Sequence, residues 1–125
     1  MTTQEVANRL VSLCREGKYA EVYQELYHED AWSIEPEGGA WGTAKGMEAM
    51  KKKSEKFEEM VEEVFSSEIS DPIAAENFFS CTMKSKVKMR GMDEPVNLDE
   101  VCVYEVVDGK VVKEQFFYTP VQEPA

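Results

Sequence analysis

The stretch from Glu76 to Tyr118 constrains this chain more than any other. Three runs within it, ENFFSCTMKSKVKMR, VNLDEVCVYEVV and KVVKEQFFY, predict three long antiparallel strands. Successive strand residues face opposite ways. The first run therefore puts Phe79, Cys81, Met83, Val87 and Met89 on one side and Thr82, Lys84, Lys86 and Lys88 on the other. The second sets Glu100, Cys102, Tyr104 and Val106 against Asn97, Asp99, Val101, Val103 and Glu105. The third sets Val112, Glu114, Phe116 and Tyr118 against Val111, Lys113, Gln115 and Phe117. Between the last two, Val107-Asp108-Gly109-Lys110 predicts a tight hairpin, because Asp-Gly accepts the positive φ such turns need. An apolar sheet face of this size must be covered, and the first half of the chain supplies three helices.

Thr2 and Glu5 predict a capping box, followed by Val6, Leu10 and Leu13 at helical spacing, with Gly17 ending the helix. A second helix carries Tyr19, Val22, Tyr23, Leu26 and Tyr27, with His28, Glu29 and Asp30 as its polar end. Ala31–Glu35 reads as a short strand closed by Pro36, and the glycine-rich segment to Gly42 as a loop bearing Trp41. Gly46 opens a third helix with Met47, Met50, Phe57, Val61 and Val64 on one face; Lys51, Lys52, Lys53 and Lys56 read as its solvated face. Phe65–Ser70 reads as a further short strand. The whole is one α+β domain over 1–125: a helical pair (1–30), strand and loop (31–45), helix (46–64), sheet (65–119) and tail (120–125).

The formal charge of −11 disfavours nucleic acid and anionic lipid, whose phosphates would repel it. No run approaches the roughly 18 apolar residues of a membrane span. Cys14, Cys81 and Cys102 are widely spaced and suit a reducing cytoplasm; with a single histidine they suggest neither a metal site nor a cofactor.

The order of elements resembles the nuclear-transport-factor-2-like superfamily, a cone-shaped, cystatin-like fold, and within it the SnoaL-like and ketosteroid-isomerase branch. The residues that carry the resemblance are Leu26–Trp32 into the first strand, Gly42–Gly46 into the third helix, and Asp108–Val112 into the last strand. It implies three helices packed in a curved, mainly antiparallel sheet, with an apolar pocket at the open end. Compared with the isomerase, Glu35 before Pro36 matches the general-base position, Cys102 occupies the place of the second acid, and Leu10 falls on or near the oxyanion tyrosine. Steroid isomerisation by that route is therefore not expected.

Strand parity adds Glu114 to the pocket side, with Tyr118 and with Glu100 beside Cys102 and Tyr104. A carboxylate in an apolar hollow has its pKa raised and can shuttle protons near neutrality. The expected catalytic set is Glu35 as base, Glu114 as second acid and Tyr118 as donor. The expected walls are Trp41, Phe79, Cys81, Met83, Cys102, Tyr104, Phe116 and Tyr23. The ligand would be a small apolar carbonyl compound, handled by an isomerase-, cyclase- or lyase-type proton transfer. The alternative is a non-catalytic ligand-binding or association module. Epoxide hydrolysis, as in the limonene epoxide hydrolase relatives of the fold, calls for an arginine between two acids, and Arg9, Arg15 and Arg90 fall on no expected cavity position. Val101, Val103, Val111 and Phe117 interrupt the outer sheet face and predict a homodimer through it.

Overall fold

A computed structural model describes residues 1–39 and 41–120; the chain's last five positions, most of the expected tail, lie outside the described residues, as does Ala40 of the loop. The first helix, α1 (Thr3–Arg15), begins at a complete capping box. Thr2 Oγ1 accepts from Glu5 N at 3.1 Å, and Thr2 N donates to Glu5 Oε1 at 2.9 Å. It ends at Gly17, whose φ of 75° lets Lys18 N reach back to Leu13 O and Gly17 N to Cys14 O, a Schellman motif. Val6, Leu10, Leu13 and their neighbours bury one face.

The second helix, α2 (Tyr19–Leu26), is shorter than expected. Tyr27 is extended (φ −100°, ψ 142°) and begins β1 (Tyr27–Ile34), so Tyr27, His28, Glu29 and Asp30 belong to a strand, not to a helix end. Strand pairing overrides local helix preference here: Tyr27 lies beside Val111, and its ring is buried. A two-residue strand, β2 (Ala44–Lys45), pairs antiparallel with β1 and leads through Gly46 into α3 (Met47–Met60).

The helix α3 stops four residues before the expected end. Val61 is already extended, and β3 (Val61–Ile69) runs antiparallel to β5 (Phe78–Met89). Val64, expected on the covered helix face, is 57% exposed on this edge strand. Glu62 meets Lys88 at 2.5 Å across the pair, and Glu68 lies opposite Lys84, so opposite charges help set the register. A short β4 (Ile73–Ala75) also pairs with β5. The remaining strands are β6 (Val96–Val107) and β7 (Lys110–Phe117), joined by Asp108 and Gly109, both at positive φ. The main order is β2-β1-β7-β6-β5-β3, antiparallel throughout except that β1 and β7 run parallel.

The three long strands alternate as their sequence dictates, with one exception. Val106 lies opposite Val111 and Glu105 opposite Lys113, so Val112 is an extra residue in β7. The bulge turns Val111 into the core at 0% exposure, whereas parity had placed it outside. Beyond the bulge Glu114 still faces inward. Phe79, Cys81, Cys102, Tyr104 and Val106 bury this face against Leu10, Leu13, Val22 and Leu26 in a single core.

Candidate active site

Parallel strands bring their carboxyl ends to the same edge, and here the ends of β1 and β7 place Glu35 beside Tyr118. The Tyr118 hydroxyl donates to Glu35 Oε1 at 3.1 Å. The Glu35 side chain is only 8% exposed, and its other oxygen, Oε2, is buried with no hydrogen-bond partner. Lys53 from the middle of α3 approaches that oxygen at 3.7 Å, close enough to attract but too far to hydrogen-bond.

The same lysine donates to Ser33 Oγ at 2.7 Å, and Ser33 donates to Glu114 Oε2 at 2.7 Å. Tyr27 donates to the other Glu114 oxygen. Lys53, Ser33, Glu114 and Tyr27 thus form one buried chain. The ammonium and both hydroxyls can each donate along this chain toward the carboxylate. The Lys53 ammonium also lies 5.6 Å from the centre of the Phe116 ring.

Burial raises the pKa of all three inward acids. For Glu35 the opposing pull of Lys53 and Tyr118 is smaller than the desolvation. Glu114 is raised by complete burial against the lowering hydrogen bonds of Tyr27 and Ser33. Glu100, on β6, is pushed up to about 7 by burial and then by the charges of Glu35 and Glu114. Tyr118 is raised by burial and by Glu35 beside it, so its proton stays on.

The structure thus brings Glu35, Glu114 and Tyr118 to one place, with Phe116 beneath Lys53. Tyr118, expected to donate to a substrate, directs its hydrogen to Glu35. Glu114 is held by Tyr27 and Ser33. Met83 lies opposite Glu100 across the β5–β6 pair and is partly buried. Phe79 and Tyr104 stack at 4.6 Å, and Cys81 lies opposite Cys102; all four are core. Burial raises Cys14 to about 12. Cys102 is pushed up by a thiol hydrogen bond with the neighbouring Cys81 and by burial, while the same hydrogen bond moves Cys81 down. Tyr23 packs edge-on against Tyr27 at 5.0 Å, and Trp41 edge-on against Phe57 at 5.5 Å.

Ser33, Tyr27 and Lys53 were missing from the expected set. Lys53 belongs to a lysine run read as solvated, yet it is three residues after Met50 and four before Phe57, on their helix face. Ser33 shares strand parity with Ala31 and Glu35. Tyr27 carried no usable signal, since it read as helix.

Two surface hollows, of about 340 and 380 Å³, lie away from these acids. One is lined by polar residues such as Ser67, Lys84 and Asp99, the other by α1 with Asp71 and Pro72. Both are open to solvent. The three arginines are elsewhere: Arg9 pairs with Glu25, Arg15 with Asp71 and Ile69 O, and Arg90 with Glu59 O. Among the described residues no three His, Cys, Asp or Glu side chains cluster to hold a metal ion, and no helix is long and apolar enough to cross a membrane.

Comparison with known proteins matches residues 1–118 to the SnoaL-like domain family. A proposed SnoaL-like polyketide cyclase from Mesorhizobium loti shares 30% identity over 94% of this chain and 100% of its own, with a TM-score of 0.88. An NTF2-like protein of unknown function from Burkholderia pseudomallei superposes with a TM-score of 0.77 at 14% identity, covering 95% and 92% of the two chains. TerC co-crystallised with polyporic acid gives 0.74 at 17% identity, covering 94% and 91%. No curated protein matches the chain.

Proposed function

Because the chain belongs to the SnoaL-like domain family, a cyclase-type, ligand-binding lineage, we propose that its acidic edge transfers protons on a small apolar carbonyl compound. The reaction class is isomerase-, cyclase- or lyase-like. The observation that carries this is Glu35 Oε2: a buried carboxylate oxygen with no hydrogen-bond partner, on a group whose pKa is raised. A buried acceptor left unsatisfied costs stability, and such groups concentrate where a ligand completes them. Glu35 is the base, Tyr118 holds it in position, and Phe116 and Met83 supply apolar wall near the acids. Glu114 acts from behind, holding Lys53 through Ser33.

The test is 5-nitrobenzisoxazole, whose ring opens when a desolvated base removes one C–H proton. The C–H bonding pair forms a nitrile as the N–O bond breaks, and the single ring-opened product is the coloured 2-cyano-4-nitrophenolate. Wild-type protein is expected to accelerate the opening, and Glu35→Gln to lose about 100-fold or more of the rate. Equal rates for the two proteins would reject Glu35 as base.

A second reading rests on the outer sheet face. Trp32, Val101 and Phe117 are exposed there, with Val101 opposite Phe117 on neighbouring strands. We propose that this apolar patch, now without Val111, joins two copies of the chain. Sedimentation at micromolar concentration is expected to give twice the 14.3 kDa chain mass, and a monomer would contradict it. Three free thiols, all buried, suit a reducing compartment, and we place the protein in the cytoplasm.

A further inference from the structure

We propose that Lys53 is the electrophilic catalytic residue of this site, and that its substrate is an uncharged, enolisable carbonyl compound that becomes anionic only during the reaction. The inference rests on Glu35 acting as the base and names what would face the charge that base creates.

Lys53 has three N–H groups, and one is fixed on Ser33 Oγ. Among the described residues no hydrogen-bond partner accompanies the other two, and Glu35 Oε2 at 3.7 Å lacks one as well. A carbonyl oxygen seated about 2.8 Å from the ammonium would accept from one of these N–H groups at ordinary hydrogen-bond length, with the neighbouring C–H turned toward Glu35 Oε2. The lysine side chain is 19% exposed against 8% for Glu35, so the lysine is the more open member of the pair. Ser33 and Glu114 hold it from one side and the Phe116 ring from another, so it is aimed before a ligand arrives.

In the proton-transfer step the α C–H bond of the substrate breaks and its proton goes to Glu35 Oε2. The bonding pair moves through the carbon skeleton to the carbonyl oxygen, giving an enolate. One negative charge leaves Glu35 and appears on that oxygen, and Lys53 faces both positions. Total charge is unchanged, so the ammonium need not be repaired between turnovers. A ligand entering as an anion would meet Glu35, Glu100 and Glu114 against a single amine, in a chain of net charge −11. A neutral ligand avoids that repulsion. Lys53 thus takes the place of the oxyanion donors whose expected positions are held here by Leu10 and Cys102, both buried in the core.

The test uses two probes. p-Nitrophenol reports directly whether a bound oxygen is protonated, because only the phenolate is yellow. Bound to wild-type protein it is expected to ionise at least one pH unit lower than when bound to Lys53→Met, with Lys53→Arg restoring the wild-type behaviour. With 5-nitrobenzisoxazole, Lys53→Met is expected to lower kcat about 100-fold and Lys53→Arg much less. Identical ionisation midpoints in wild type and Lys53→Met, or unchanged kcat in Lys53→Met, would overturn the proposal. So would a wild-type protein that opens the isoxazole through Glu35 yet fails to bind p-nitrophenol; in each of these cases Glu35 would stand as the base. If Glu35→Gln alone retains full rate, the base falls, and the nitrophenol shift still decides whether Lys53 binds an oxyanion.

Discussion

Two neighbouring parts of the same sheet face have opposite characters. Around Phe79, Cys81, Cys102 and Tyr104 the face is apolar and packed solid. At the carboxyl ends of β1 and β7 it carries Glu35 beside Lys53 and Glu114 joined to that lysine through Ser33, with Glu100 on β6 raised by both charges. The change is abrupt: Glu100 and Cys102 are successive inward residues of β6, and Val111 and Glu114 of β7. Pleating decides which way a side chain faces, and the covering helix decides what it meets there. The helices α1 and α2 bring leucine and valine to the core, whereas α3 brings Lys53. One region buries carbon, and the other buries a few polar atoms and leaves Glu35 Oε2 without a hydrogen-bond partner.

The comparison breaks most readily in the core. Phe79→Ala should cost about 3–5 kcal/mol in urea unfolding, because it removes a fully buried ring stacked on Tyr104. A loss under about 1 kcal/mol would mean that this region is not close-packed. At the acidic edge, Tyr27→Phe keeps the ring and leaves one buried Glu114 oxygen without its donor, at a cost of about 1–3 kcal/mol. It should also push the Glu114 pKa further up, since that hydrogen bond lowers it.

The acids make stability depend on pH in a direction opposite to ordinary acid unfolding. Glu100 titrates near 7 in the folded protein and near 4.3 in the unfolded chain, so between those values the folded state binds more protons. Unfolding free energy should therefore fall as pH rises from 5 to 8, with Glu100 contributing about 2–3 kcal/mol. Glu100→Gln should flatten that slope, and an unchanged slope would place the carboxyl in water. The smallest effect tests the edge of the sheet: Val64→Thr should change stability by less than about 0.5 kcal/mol, because the side chain is exposed on β3. A loss of a kilocalorie or more would return Val64 to a covered helix face.

The long strands were legible because alternation is a local property. Each inward residue from Phe79 to Val87 and from Glu100 to Val106 could be assigned without knowing its partner. Where the partner decided, the sequence was silent. Tyr27 continues a helical stripe and becomes strand only because β7 lies beside it. Val61 and Val64 keep helical spacing with Phe57, yet pairing with β5 extends them. Val111 is turned inward by a bulge that shows only in register with β6. Glu35, Glu114 and Tyr118 were readable from parity and resemblance. Lys53 was hidden among three consecutive lysines, although its phase with Met50 and Phe57 marks it as the one facing in.

Everything proposed for the acidic edge depends on its carboxyl groups being withdrawn from water. Carbon-13 NMR titration of the glutamate side-chain carboxyls measures this directly. Glu35, Glu100 and Glu114 are expected to titrate above the other glutamates, with Glu100 near 7. If all three followed the ordinary curve near 4.3, the edge would be plain solvated surface and the proton-transfer site would not exist.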